Sequence, residues 1–126
     1  MPNPLNILAV FTFLLIKHFL FDFILQPPWQ WKNKGTYGHP GGIIHALQHG
    51  ISTYIILVMF NVNYSLAFDL VIFEIVAHYH IDWLKMNINK KMRWKPDTHE
   101  QFWWLLGADQ LAHQLCYTMI IYWGFF

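Results

Sequence analysis

Four long apolar runs, at 5–26, 42–62, 64–85 and 102–126, leave this chain few ways to fold, because all four carry ionisable side chains. A bilayer core of about 30 Å is crossed by roughly 20 helical residues, so each run is long enough to span it. The breaks between the runs are chemically plain. "PPW" ends the first, since proline lacks an amide donor and restricts the residue before it, and "GHPGG" delays the start of the second. "NVNY" makes a tight turn between the second and third runs, which therefore form an antiparallel hairpin. In "KPDTHEQ", Asp97 or Thr98 offers an N-cap for the fourth helix, with Glu100 or Gln101 in its first turn. The expected fold is all-α: a single-domain integral-membrane antiparallel four-helix bundle with one short outer turn and two longer cytoplasmic loops.

Composition agrees, with 56% hydrophobic residues against 12% charged. A near-neutral chain without a basic helix or recognition motif gives no reason to expect a nucleic-acid partner. One cysteine, Cys116, cannot close an internal disulfide. The opening "MPNPLNILAVFTFLLI" lacks a basic start and a small-residue cleavage site, and reads as a retained helix. Lys32, Lys34, Lys90, Lys91, Arg93 and Lys95 lie in the two long connections, while the 61–63 turn and both ends have no lysine or arginine. By the positive-inside rule the long loops are cytoplasmic and both termini face outside.

The ionisable residues within the runs are the chemical signal. Carboxylates and lysines at mid-bilayer cost about 2.5–3.5 kcal/mol each on insertion scales. They must face one another, water or a ligand. His18 and Asp22, His45 and His49, Glu74, His78 and Asp82, and Asp109 and His113 are each spaced by four, which stacks them on one helix face. Counted from the cytoplasmic ends at about 1.5 Å per residue, Asp22, His45 and Asp82 lie about 5 Å deep. His18, His49, His78 and Asp109 lie about 10–12 Å deep, and Glu74 and His113 about 16 Å. Chance polar residues would not line up across four alternating helices, so these stripes are expected to form one shared site.

Imidazoles with carboxylates suit a divalent metal, zinc first, with iron or manganese also compatible. The expected ligands are His18, Asp22, His45, His49, His78, Asp82 and His113. A metal-bound water is a hydrolytic nucleophile near neutral pH, for which Glu74 or Asp109 could serve as base. Lys17 and Glu74 lie at matching depth and are expected to pair, while Lys85 and Gln26 at the rim could receive an anionic head group. His80 points off the stripe, Asp69 lies near the outer interface, and His39 and His99 are solvated loop residues. The site's depth suits a metal-dependent hydrolase acting on a lipid or lipid-linked substrate from the cytoplasmic leaflet. Three other readings compete: an ion or proton relay, haem ligation by facing histidines, and a non-catalytic membrane binding module. Apolar outer halves argue against a through-path in one subunit, although a homo-oligomer could complete one. Crowded carboxylates argue against a porphyrin.

In order, "HFLFDFILQPPWQWKNK", "HPGGIIHALQH", "EIVAHYHIDWLK" and "DQLAH" resemble the domain-of-unknown-function 3307 family of small bacterial and phage membrane proteins. The match rests on His18, Asp22, Gln26, Lys34, His45, His49, Glu74, His78, Asp82, Lys85, Asp109, Gln110 and His113. The resemblance implies a bacterial inner-membrane protein of bacterial or phage origin, and assigns no activity.

Overall fold

Proline opens three of the helices, at positions where its missing amide would have had no partner in any case. In the computed structural model, which describes residues 3–126, these are α1 (Pro4–Phe19), α2 (Pro28–Trp31) and α3 (Pro40–Met59). α4 (Tyr64–Met92) and α5 (Glu100–Phe125) complete the described helices. Side chains cap three of the N-termini. Asn3 Oδ1 accepts from Leu5 N (2.9 Å), His39 Nδ1 from Gly41 N (2.9 Å) and Asn63 Oδ1 from Ser65 N (2.9 Å). His39, expected to be a solvated loop residue, is thus the cap of α3. Neither Asp97 nor Thr98 caps α5: the N-cap position is His99, which makes no side-chain cap bond.

α1 passes directly into a π turn, Leu20–Ile24, closed by a 2.7 Å bond from Leu25 N to Leu20 O. The first expected span therefore ends at Ile24 rather than at residue 26. α3 stops at Met59, with Asn61 in the left-handed region (φ 63°) forming the turn into α4. α4 runs to Met92, seven residues past its expected end, because tertiary contacts continue along it. Asn87 Nδ2 donates to Gly35 O (3.0 Å), and Lys90 and Lys91 complement the carbonyl end of the helix. Arg93, at φ 57°, ends it.

Contacts between the helices run in opposite numerical order. Lys17 meets His49 while Asp22 meets His45. The places of Gly42 and Gly50 on α3 lie against Tyr79 and Ile75 of α4, and Asp82 meets His113 while Leu70 meets Gly124. Gly50 is required by close packing, since a Cβ there would stand 2.4 Å from Ile75 Cγ1. Gly41 is required likewise, its Cβ position lying 2.6 Å from the Trp29 carbonyl and so allowing α2 to sit on the start of α3.

Polar and apolar groups are segregated along the length of the fold. At the end holding the α3–α4 turn, Val10, Leu14, Leu57, Ala67, Tyr117 and Ile120 form a core with at most 1% exposure. Toward the other end the interior is polar. Large apolar side chains such as Phe13, Ile16, Phe19, Ile51, Ile55, Phe68, Ile72, Leu111 and Leu115 face outward. An apolar exterior around a charged interior is the reverse of a water-soluble domain. α1 with its π turn, α3 and α4 are each long and apolar enough to cross a membrane. α5 is long enough, but Gln101, Asp109, Gln110, His113 and Gln114 lower its average hydropathy.

Candidate metal centre

Five histidine rings converge where α1, α3, α4 and α5 meet. On α1, Lys17 and His18 lie at the start of the last turn, and the widened π turn that follows carries Asp22. π turns re-aim side chains and recur at functional sites. Asp22 is placed so that its two oxygens face different neighbours: Oδ1 lies 3.0 Å from His45 Nε2 and 3.1 Å from His49 Nε2, while Oδ2 lies 3.1 Å from His18 Nε2. On α4, His78 Nε2 is 3.1 Å from His45 Nε2 and 3.3 Å from Asp82 Oδ2. On α5, His113 Nε2 is 3.3 Å from Asp82 Oδ1 and 3.5 Å from Asp109 Oδ1. The rings of His49 and His78 stack with centroids 3.9 Å apart, and His113 lies 4.1 Å beyond His78.

Three donor groups emerge, each with its ligand atoms within 4.8 Å of one another, and each could hold a metal ion. They are Asp22, His45, His49 and His78; His18, His78 and His113; and Asp22, Asp109 and His113. Six of the seven expected ligands belong to these groups. The seventh, Asp82, touches His45, His78 and His113 but is also paired with Lys34 Nζ at 2.8 Å. Lys34, read from the sequence as a charge of the first long connection, is 8% exposed and reaches in to make that pair.

Supporting contacts hold several rings from behind. Tyr117 OH lies 2.9 Å from His18 Nδ1, so it can accept from an Nδ1–H and leave Nε2 as the ligating atom. Lys17 Nζ donates to the His49 carbonyl (3.1 Å) and sits 3.3 Å from His49 Nδ1. An ammonium on that side places the proton of a neutral His49 on Nε2, where it donates to Asp22 Oδ1; ligation through Nε2 would call for the other tautomer, with that proton on Nδ1. Lys17 also pairs with Glu74, as expected from their depths. Glu74, expected to act as a base, is therefore committed to Lys17 and is 1% exposed.

Two placements differ from the sequence reading. His113 lies one turn nearer the loop end than estimated, beside Asp82 and His18 rather than at the level of Glu74. The reason is the extended α4: its last turns need partners, and the first turns of α5 pack along them, with Leu105 facing Ile88 across a groove. Lys85 does not reach the cluster. It lines that α4–α5 groove together with Ile81, Leu84, Ala108, Ala112 and, at the inner side, Asp109. His80 is exposed and pairs with Tyr37 OH (2.9 Å), outside the cluster as anticipated.

The family described as protein of unknown function (DUF3307) matches residues 10–126, nearly the whole chain. The chain belongs to this family. No curated protein and no solved structure matches it. In this DUF3307 protein the residues missed as parts of the site are Tyr117, Lys34 and Gln110. Tyr117 extends the Asp109–His113 spacing by a further four, a signal the sequence does carry. Gln110 faces the cluster because it follows Asp109, and its Oε1 lies 2.9 Å from His18 Nε2. Lys34 carries no periodic signal, since a loop rather than a helix delivers it.

Proposed function

We propose that this DUF3307 protein is an integral-membrane metalloprotein, a metal-dependent hydrolase acting on a lipid or lipid-linked substrate from the cytoplasmic leaflet. The observation that carries the reading is an unbalanced buried charge. Asp22, Glu74, Asp82 and Asp109 have side chains no more than 6% exposed, and only Lys17 and Lys34 accompany them among the buried lysines and arginines of the described residues. With neutral imidazoles this leaves an excess of two negative charges, which one divalent cation cancels. The donor set, imidazole with carboxylate, suits zinc, iron or manganese.

The wider reading is a four-span antiparallel bundle in the bacterial inner membrane. α5 supports it as the fourth span, because Trp104, Leu111, Leu115 and Met119 turn outward while Asp109 and His113 turn in. Lys32, Lys90, Lys91, Arg93 and Lys95 gather at the polar end, which by the positive-inside rule is cytoplasmic, leaving both termini outside.

A bound divalent cation would acidify a water and polarise an ester or phosphoryl oxygen. The chain supplies the rest. The α4–α5 groove is lined mainly by apolar side chains, Lys85 on its wall can bind an anionic head group, and the buried Asp109 belongs both to its lining and to the cluster. Asp109 Oδ1 accepts no hydrogen bond, its polar neighbour being His113 Nε2 at 3.5 Å, and so has capacity to accept a proton there. The closed apolar core at the far end counts against a transport path through one subunit. Elemental analysis of detergent-purified protein tests the metal, with stoichiometric divalent metal expected, and its absence overturns the reading. A metal-loaded protein that cleaves neither lipid esters nor lipid phosphoesters overturns the hydrolase.

A further inference from the structure

We infer that the centre holds two metal ions, bridged by the Asp22 carboxylate, and that its substrate is a phosphoester. This rests on the metalloprotein reading and extends it. One ion alone would use Asp22 Oδ1, His45, His49 and His78, leaving Asp22 Oδ2, His18 and His113 as donors it does not engage. His18 Nε2 lies 3.1 Å from Asp22 Oδ2, and a ring nitrogen of His113 lies within 4.8 Å of an Asp22 oxygen in one donor group and of a His18 nitrogen in another. The two oxygens of Asp22 thus belong to different groups of imidazoles, the arrangement of a bridging carboxylate. Asp82 shows the same division, with Oδ2 toward His45 and His78 and Oδ1 toward His113, while Lys34 anchors it. Paired ions about 3.5–4 Å apart are the usual means of clamping the attacking and leaving oxygens of a phosphoryl transfer.

Charge selects the substrate. Two divalent ions turn the excess of two negative charges into an excess of two positive ones. A hydroxide and a phosphodiester monoanion would cancel that excess, whereas a neutral carboxylic ester would leave a net charge buried among apolar helices.

The test is to load the purified, detergent-solubilised protein with Mn²⁺, count ions per chain, and record its electron paramagnetic resonance spectrum. About two ions and an exchange-coupled multiline signal are expected, falling to about one ion and an isolated six-line signal in the His18→Ala/His113→Ala variant. Inorganic phosphate should alter the coupled signal and acetate should not. One ion per chain in the wild-type protein, with an uncoupled signal, overturns the two-metal centre while leaving the metalloprotein standing. No bound ion overturns both. A coupled signal that phosphate leaves unchanged overturns the substrate class alone.

Discussion

Tyr117 and Lys34 show how single side chains set the chemistry of this interior. Tyr117 touches no carboxylate of the donor groups, but its hydroxyl meets the outer nitrogen of His18 and so orients the ring. Tyr117→Phe keeps the packing and removes that oxygen. Metal affinity is expected to fall about 10- to 100-fold, measured by competition with a chromophoric chelator, with little change in helicity. Lys34→Met leaves Asp82 without its cation in an interior that cannot solvate it. The expected cost is about 3–5 kcal/mol, read as a lower melting temperature, because removing one partner of a buried pair strands the other. Lys34→Arg should recover much of it. If the Met variant melts with the wild-type protein, the ion pair contributes nothing to the fold.

Among the elements, α3 and α4 approach closely at Gly50, and the register of the whole cluster depends on that approach. Gly50→Leu would drive carbon atoms into Ile75 and Val71, with an expected loss of about 1–3 kcal/mol and a lower metal content in the purified protein. Wild-type stability together with wild-type metal content would show that α3 can shift without disturbing the site. The spacing of His45 from His49, or of Glu74 from His78 and Asp82, was legible because an α-helix maps every fourth residue to one face. The π turn at Leu20–Ile24 was not legible: "LFDFILQ" carries no local signal for a wider turn, which forms because Asp22 is held between His18, His45 and His49. The length of α4 was likewise hidden, since Asn87 donates to the carbonyl of Gly35, 52 residues away in sequence. That hidden extension also misplaced His113 by a turn.

For the molecule as a whole, binding to the native state alone makes a metal a stabiliser. Chelation by EDTA is expected to remove about 2.7 kcal/mol if the ion is present at a hundred times its dissociation constant, and to lower the melting temperature reversibly. An unchanged melting curve would mean that no tightly held ion contributes to the fold. Topology can be checked by fusing reporters to each end, with periplasmic-active and cytoplasmic-inactive signals expected at both; a split result would overturn the assigned orientation. The tight core of Val10, Leu14, Leu57, Tyr117 and Ile120 closes the interior at the end of the α3–α4 turn, so water and ions are expected to enter from the loop end. Loading therefore has a side. In sealed vesicles, metal supplied to the loop face should reach the histidines quickly, and metal supplied to the opposite face should not. The compartment that stocks this centre is then the one into which the loops project, whatever the wider concentration of metal across the membrane.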